Sequence, residues 1–349
     1  MNLAPGKLED FATEILVAAG SRATEAREVA QHLVEANLKG HDSHGVGMLL
    51  TYVKNVQAGL LHPNRHASIV RKFGAIAVFD GNMGYGQVLA REATEWGVAK
   101  AKSDGLSAVA LRNAHHVARV GAYGERAAEA GLIGLLFVNV LHAPGRVAPF
   151  GGIEGRYGTD PVCIAYPSLD GEPPIVLDFA TSKIAAGKIR VAFNQGKKLD
   201  PDTLIDKHGR ESRDPALFYA GDRTEASILP FGEHKGSGLA LVTHLLAGAL
   251  TGGGVMHAGL ADVGIKNGLF SIFIDPTRFG DPEHLERDRR LLIEYVKSAT
   301  PRPGVEAVQI AGEPEQKTLA ARTKAGLPID EGTWKTILEA AALVGVPPP

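Results

Sequence analysis

The sequence predicts a two-domain protein of the α/β or α+β class. Three observations predict it: helical periodicity at both ends of the chain, short strand-like runs between them, and a length of 349 residues. Because both ends are helical, we expect residues 1–66 and about 300–349 to share one helical domain. Residues about 67–299 would then form an inserted domain that contains the sheet.

Three helices are predicted in the first part of the chain, each from apolar residues at helical spacing and a glycine beyond its end. The first ends at Gly20, the second covers about Thr24–Leu38, and the third extends from Val46 to Gly59. The tail repeats the helical pattern around Trp334. These segments predict the helical domain.

From Ala67 onward, strand-like runs alternate with helical segments. The predicted strands are AIAVFDG (75–81), LSAVALRN (106–113), LIGLLFVNVL (132–141), VCIAYPS (162–168), PIVLDFA (174–180) and LFSIFIDP (269–276). The predicted helices are Gln87–Ser103, Ala118–Ala130 and a buried helix over Gly236–Gly252. Residues 196–215 are mostly polar and predict a long loop or an excursion from the main fold.

Composition limits the classes of partner. Lys and Arg number 37 against 39 Asp and Glu, so the chain lacks the basic excess of a nucleic-acid-binding protein. The one cysteine, Cys163, excludes an intrachain disulfide, and its apolar neighbours predict burial. The run Leu132–Leu141 is shorter than the ~18 residues of a membrane span, and the charged N-terminus does not resemble a signal peptide. We expect a soluble, cytoplasmic protein.

The standard nucleotide-binding fingerprints are missing. No GxGxxG lies between a strand and a helix, no GxxxxGK[ST] occurs, and Gly236–Gly238 lacks the third glycine. A nucleotide, if one binds, must be held by another architecture.

The segment HDSHG (His41–Gly45) lies in a predicted break between two helices, where side chains reach a cleft. An imidazole there can exchange a proton near neutral pH, and Ser43 can hold the His44 ring in one tautomer. Two alternatives stay open. Asp42 or Ser43 caps the next helix, or His41 and His44 bind a metal with HxxH spacing.

The segment RNAHHVARVG (Arg112–Gly121) joins a predicted strand to a predicted helix, a position where catalytic residues gather. His115 and His116 are well placed there for chemistry, and Arg119 offers a fixed cation for a carboxylate or a phosphate. The alternative is a helix cap with one histidine packed in the wall.

Two further segments carry groups that could bind a ligand. The glycine-rich Ala148–Pro161 can bring backbone amides close to a ligand, or can be a plain turn. Asp178 ends a predicted strand and can orient a protonated histidine. Thr181 and Ser182 can bind an anion at the next helix, or only cap it.

The last candidates lie late in the chain. His234 and Lys235 stand at the start of a glycine-rich helix, which suits a phosphate, although a lysine there can also be merely solvated. The segment IAGEPE (Ile310–Glu315) is predicted as a loop after a strand.

Together the motifs resemble one family, the type 2 malate/L-lactate dehydrogenases, closest to its hydroxycarboxylate dehydrogenase B branch. The matching segments, in chain order, are GHDSHGVGMLLTYVKNVQAG, RNAHHVARVGAYGERAAEAGLIG, PFGGIEGRYGTDP, VLDFATSKIAAGK, FGEHKGSGLALVTHLLAGALTGG and IAGEPE. The six matches occur in the same order and are spread over nearly the whole chain, which makes the resemblance specific.

The resemblance implies an oxidoreductase that uses NAD or NADP to reduce 2-oxo acids to 2-hydroxy acids, or the reverse. Some members reduce cyclic imino acids instead. It also implies a dinucleotide-binding fold other than the Rossmann fold, with a mixed, largely antiparallel sheet, and a homodimer with active sites near the subunit interface. From another class, a hydrolase with a histidine-bound metal remains the competing hypothesis.

The resemblance further assigns roles to residues, with no metal ligand among them. The proton donor or acceptor falls on His44, preceded by Ser43, with Asp178 as its support and His116 as a second candidate base. The cofactor contacts fall on Ala118, Arg119, Val120, Asp178, Phe179, Ala180, Thr181, Ser182, His234, Lys235, Asn267, Gly312, Glu313, Pro314 and Glu315. The substrate residues are Met48, Thr159 and Arg156.

Two departures from the family pattern are visible. Many members have an arginine that grips the substrate carboxylate where this chain has Met48, so another group must do so, with Arg119, Arg156 or backbone amides as candidates. The larger apolar wall predicts tolerance of bulky or aromatic 2-oxo acids such as phenylpyruvate. Asp160 stands where asparagine is usual, and its charge would repel an acid unless the carboxylate points away or is paired.

Overall fold

The computed structural model describes residues 1–142, 144–219, 225–260 and 264–349. Its strands are β1 (Asn2–Leu3), β2 (Ser68–Phe73), β3 (Ile76–Asp80), β4 (Leu106–Ala114), β5 (Ile133–Leu141), β6 (Val162–Tyr166), β7 (Ile175–Phe179), β8 (Leu204–Asp206), β9 (Glu211–Ser212), β10 (Ala226–Ile228), β11 (Lys266–Ile274) and β12 (Leu327–Pro328). Its α-helices are α1 (Pro5–Ala18), α2 (Ala23–Leu38), α3 (Leu49–Gln57), α4 (Gly86–Asp104), α5 (Gly121–Glu129), α6 (Ala186–Asn194), α7 (Ala216–Tyr219), α8 (His234–Thr243), α9 (Pro282–Lys297), α10 (Glu313–Ala325) and α11 (Glu331–Leu343).

A seven-stranded sheet organises the middle of the chain, in the order β2-β3-β4-β11-β5-β6-β7. The pair β3–β4 is parallel, and the other neighbouring pairs are antiparallel. The predicted α/β class with a mixed, largely antiparallel sheet is therefore confirmed. The central strand β11 comes from late in the chain. The two parts of the sheet are therefore joined only when residues 266–274 insert between β4 and β5.

Side chains alternate between the two faces of this sheet. Leu136 and Val138 of β5 join the buried cluster that includes α4 and α5. Asn139, one residue along, instead approaches His244, the first residue of a π-helical turn (His244–Leu250) that continues α8. The sheet is thus covered by helices on one face and by this turn on the other.

A second buried cluster joins the two ends of the chain. It combines α1, α2 and α3 with Ile337, Ala340 and Ala341 of α11. The strand pairing of Asn2 with Pro328 also ties the first residues to the tail. The division into a terminal helical domain and an inserted domain stays a prediction.

The predicted strands and helices correspond to observed elements, and several boundaries change. The loop predicted at residues 196–215 is wrong, because β8 and β9 form a small sheet with β10. The segment IAGEPE does not follow a strand; its acidic residues form the first turn of α10, and α5 begins at Gly121 rather than Ala118. Cys163 is fully buried, as predicted.

The helix expected to be buried over 236–252 is only partly so. Leu241, Leu245 and Leu250 are each at least half exposed. Within the described part of the chain, every helix is too short or too polar to cross a bilayer.

Candidate active site

The break between α2 and α3 consists of two short 3₁₀ turns, and a polar cluster fixes its shape. The Asn37 side chain accepts a hydrogen bond from the Val46 amide (2.9 Å) and donates one to Asp42 (2.6 Å). Arg322 of α10 makes a bidentate ion pair with Asp42, at 2.7 and 3.0 Å. Asp42 therefore anchors the tail to this turn, and neither it nor Ser43 caps a helix through its side chain.

These turns direct His44 toward the loop after β4. The Ser43 hydroxyl lies 2.9 Å from His44 Nδ1, so the two side chains share a hydrogen bond. The His44 and His116 rings stack, with centroids 5.6 Å apart and planes 13° apart. Two imidazoles that are 72 residues apart in sequence therefore form one site.

A buried chain of hydrogen bonds holds His116. The Gln87 side-chain amide donates to Tyr52 Oη (2.8 Å), and Tyr52 Oη lies 2.8 Å from His116 Nδ1. Because Tyr52 already accepts from Gln87, its proton is available to His116 Nδ1. The proton of the neutral imidazole is then on Nε2, where it can be donated to a ligand.

Both rings are kept neutral by their surroundings. Burial, followed by the charges of neighbours led by His41, lowers the pKa of His44 to about 3. Burial, followed by the charge of His44, lowers the pKa of His116 well below its ordinary value. Both imidazoles are therefore neutral at neutral pH.

Asp178 ends β7 at the same site, but it does not contact His44 by a hydrogen bond. Its Oδ2 accepts from the Gly121 amide at 2.7 Å. Burial raises the pKa of Asp178, while the charges of His41 and Arg119 oppose that rise. Of the two residues expected to hold His44, the structure therefore shows Ser43 and not Asp178 in hydrogen-bond contact with it.

Two cavities of about 390 and 400 Å³ meet at His44. Both are lined by Ser43, His44, Ala118, Thr159, Pro161 and Ala185. Ala118, on their shared border, has a left-handed φ of 58°, a strained conformation of the kind that clusters at functional sites. A ligand in either cavity would reach the same imidazole.

The first cavity brings together much of the predicted cofactor set. It is lined by Ala118, Arg119, Val120, Asp178, Phe179, Ala180 and Ser182 of that set, with Lys183 and Lys188 in addition. A smaller cavity of about 140 Å³ shares His41, Arg119 and Asp178 with it and extends to Gly312 and Glu315. Most of the predicted set therefore lies along one continuous surface.

Some members of the predicted set have hydroxyls that bond to backbone, and others lie outside these cavities. Thr181 donates its hydroxyl to the Thr159 carbonyl (3.0 Å), and Ser182 donates to Ile184 (2.8 Å). Since α6 begins only at Ala186, neither residue caps it, which corrects that expectation. His234 and Lys235 start α8 as predicted but line none of the cavities described here.

Asn267 belongs to the second cavity rather than the first. Its side chain accepts from the Val117 amide (2.9 Å) and donates to the Asn139 carbonyl (3.0 Å). Both polar atoms of the amide are therefore engaged with backbone. Asn267 fixes the loop that carries His116.

The predicted carboxylate anchors are occupied or distant. Arg119 is 2% exposed and forms ion pairs with Glu125 and Glu35. Arg156 is exposed, pairs with Glu154, and lines neither large cavity. Met48 and Thr159, the other two predicted substrate residues, line the second cavity.

The second cavity also contains residues that the sequence does not single out. Arg190, Arg146, His142 and Asn55 line it together with His116. The only local signal for Arg190 is that a basic residue follows soon after Asp178 on the next predicted helix. The sequence gives no sign that Tyr52 has a functional role, because it stands among apolar residues at helical spacing and is predicted to lie in the core.

Asp160 points away from both cavities. It is fully buried, and its Oδ1 accepts from the Val140 amide at 2.8 Å. Its Oδ2 lies 3.0 Å from His244 Nε2, although the angle is not that of a well-formed hydrogen bond. The carboxylate is therefore paired internally and does not repel an acid in the cavity.

The histidines do not form a metal-binding set in the described residues. There, the one group of three or more donors close enough to share an ion is acidic, Asp170 with Glu172 and Glu286. Arginines surround it, among them Arg289 and Arg290. The geometry gives no support to a metal hydrolase that uses His41 and His44.

Comparisons with known proteins place the chain in a family. The model of the malate/L-lactate dehydrogenase family matches residues 3–338. Hydroxycarboxylate dehydrogenase B of Escherichia coli K12 is 40% identical over 343 residues, 97% of this chain and 93% of that protein.

Solved structures agree. An Escherichia coli protein thought to be a malate/lactate dehydrogenase superposes with a TM-score of 0.93 at 39% identity, over 99% of this chain and 96% of that one. The Δ1-piperideine-2-carboxylate reductase of Pseudomonas syringae superposes with a TM-score of 0.81 at 27% identity, over 98% and 100% of the two chains. The chain therefore belongs to the malate/L-lactate dehydrogenase family.

Proposed function

We propose that this protein is an NAD(P)-dependent dehydrogenase that interconverts 2-hydroxy acids and 2-oxo acids. The observation that carries the proposal is the pair of stacked imidazoles, His44 and His116, at the junction of two cavities. One cavity is lined by cations that suit the phosphates of a dinucleotide, and the other is lined by polar and apolar groups that suit a small acid. Membership of the family supports the same chemistry.

The first cavity fits a nicotinamide dinucleotide by the chemistry of its donors. Lys183 and Lys188 are exposed cations at its edge, suited to phosphates. Phe179 and Phe231 pack edge to face and give it an apolar wall. When bound, the nicotinamide would supply or accept the hydride. Because β3–β4 is the one parallel pair of the main sheet, we expect this cofactor to be held outside a Rossmann fold.

The protein's own residues manage the proton. Because both imidazoles are neutral at pH 7, His44 can accept the proton of a 2-hydroxyl group, while His116 keeps its Nε2 hydrogen and donates a hydrogen bond to the same oxygen. In the reverse direction His44 must first take up a proton from solvent, and it then transfers that proton to the carbonyl oxygen, on which negative charge develops as hydride arrives. Ser43 and Tyr52 keep the two rings oriented for this exchange.

The test is absorbance at the reduced-nicotinamide band with NADH and NADPH, each offered against pyruvate, oxaloacetate, phenylpyruvate and glyoxylate. We expect turnover of at least one acid, and a fall of roughly 10²–10⁴-fold in kcat for H44Q. Cofactor affinity, measured by fluorescence, should be unchanged in H44Q. Wild-type turnover in H44Q would refute the role of His44.

The shape of the second cavity supports a preference among acids. Met48, Val138, Val140, Phe218 and Ile265 give it apolar walls. We therefore expect phenylpyruvate to be accepted, and M48R to shift the preference toward small acids. An unchanged preference in M48R would contradict this assignment.

A cyclic imino acid is the alternative substrate within the same chemistry. The structural similarity to the Δ1-piperideine-2-carboxylate reductase favours its inclusion. An imino acid also carries a carboxylate beside the carbon that would receive hydride. A higher kcat/KM for an imino acid than for every 2-oxo acid would establish this alternative.

We also propose a homodimer in the cytoplasm. The half-exposed leucines of α8 and its π-helical turn, with Leu177 and Ile164 of the sheet, leave apolar surface that a second copy can bury. Sedimentation equilibrium should give twice the chain mass, and L245E should lower it. A monomer at micromolar concentration would contradict the proposal.

A further inference from the structure

Arg190 of α6 reaches into the second cavity beside the catalytic turn. Its Nη1 lies 3.9 Å from Met48 Sδ. A Cβ added to Gly47 would lie 3.1 Å from its Nη2, so the guanidinium packs directly against the backbone that follows His44. Arg190 is half-buried and lines the cavity together with His44 and His116.

This guanidinium has no acidic partner among the described residues. Arg119, Arg112 and Arg322 each pair with a carboxylate, but no ion pair between described residues involves Arg190. The described lining of the cavity contains two arginines and no Asp or Glu. Partial burial of a cation without an opposite charge costs desolvation free energy, which the binding of an anion would offset.

Arg146 is the other guanidinium in this cavity, and its surroundings differ. It is 9% exposed and stacks over the Phe218 ring, 4.7 Å from the centroid. The charge of Arg190, after burial and nearby histidines, helps to lower the pKa of both His44 and His116. Arg190 is therefore the guanidinium whose field reaches both proton-transfer groups.

We propose that Arg190 is the residue that binds the substrate carboxylate, and that it places the neighbouring carbon between His44 and His116. The inference rests on the proposed function for the identity of the acid. A guanidinium can bind a carboxylate with two parallel hydrogen bonds, which fixes orientation as well as position. Met48 contacts this guanidinium and forms the apolar edge of the same subsite.

The experiment compares a 2-oxo acid with its uncharged amide, phenylpyruvate against phenylpyruvamide, in the wild type, R190M and R190K. We expect the wild type to favour the acid by about 10- to 150-fold in KM, the factor for one charge-assisted hydrogen bond. R190M should lose this discrimination with a smaller change in kcat, because the carboxylate is bound in ground and transition states alike. R190K keeps the positive charge but loses the paired N–H donors of the guanidinium, so its ratio of acid to amide should be intermediate.

Two matched variants exclude trivial causes. K197M removes one exposed positive charge just beyond α6 and should leave the ratio of acid to amide unchanged. M48R/R190M moves the guanidinium to the contacting side chain and should restore part of the discrimination. If R190M discriminates as the wild type does, or if only R146M abolishes discrimination, the proposal is overturned.

Calorimetric binding of the same two compounds separates this inference from the proposed function. Absence of turnover with every acid, together with acid binding that is lost in R190M, would refute the dehydrogenase and retain the anion site. Turnover by the wild type, together with acid binding that is unchanged in R190M, would retain the dehydrogenase and refute the role of Arg190.

Discussion

The buried imidazole of His115 should make the protein sensitive to acid, and the size of the effect follows from its surroundings. His115 is fully buried, and its Nε2 lies 2.8 Å from the Asn55 amide nitrogen that donates to it. Burial lowers the pKa of His115 from 6.5 to about 3. Between these values the unfolded chain binds a proton that the native protein does not, so stability is lost as the pH falls below 6.5.

One such group changes the free energy of unfolding by about 1.4 kcal/mol per pH unit well below pH 6.5, and by about 2 kcal/mol in total at pH 5. We therefore expect H115Q, whose amide oxygen can still accept from Asn55, to reduce the pH slope by that amount. The assay is urea unfolding of both proteins at several values between pH 5 and 7. Asp178 and Glu25, whose pKa values burial raises, act in the opposite direction, but equally in both proteins.

H208Q is the matched control, because His208 is exposed and should leave the slope unchanged. Equal slopes in H115Q and the wild type would refute the claim that burial keeps His115 neutral. The same reasoning then fails for its neighbour His116.

Three further predictions test the site. Y52F should lower kcat roughly 10- to 100-fold without changing cofactor affinity, because the His116 tautomer is no longer fixed; unchanged kcat would contradict the hydrogen-bond chain. The free energy of unfolding of D160N, measured in urea, should lie within about 1 kcal/mol of the wild-type value, because its amide can still pair with His244. D160A should lose about 2–3 kcal/mol of that free energy, and equal losses in the two variants would refute the pairing. G86A should lower Tm and turnover together, since its Cβ would lie 2.5 Å from the His116 carbonyl oxygen; a normal Tm would show that the loop can shift.

Six of the seven strands of the main sheet could be predicted because they are apolar runs bounded by turn residues. The seventh, β2, was missed because it is exposed along its length and contains Arg71 and Lys72. The order of the sheet could not be predicted, because β11 is separated from β4 by more than 150 residues and nothing local specifies that pairing. The short strands β8 and β9 escaped prediction because segments of two or three residues are too short to show a periodicity. The acidic N-terminus of α10, with Pro314 in its first turn, does carry a helix-start signal that could have been used.

The burial of the segment 236–252 was predicted wrongly for a different reason. A helix that is apolar on all sides does not reveal which face its own chain covers. In this structure the face with Leu241 and Leu245 stays exposed. Only the three-dimensional packing separates the covered face from the free one.

At the site, sequence patterns found the histidines and Ser43 but not the partners of His116. His44 and His116 lie in polar segments at predicted element ends, where side chains reach clefts. The partner of His116 is Tyr52, 64 residues away, and it looks like a core residue in a helix. Arg119 looks like a free cation until its ion pair with Glu125 is seen.

The central claim is hydride transfer between a nicotinamide and the 2-carbon of a 2-oxo acid. The most direct measurement incubates the wild type with reduced nicotinamide deuterated at the transferred position and with phenylpyruvate, and then analyses the product by mass spectrometry. The account predicts a 2-hydroxy acid with one deuterium on the 2-carbon, formed at a strongly reduced rate by H44Q. A hydroxy acid without the label, or no oxidation of the cofactor with any 2-oxo acid, would contradict it.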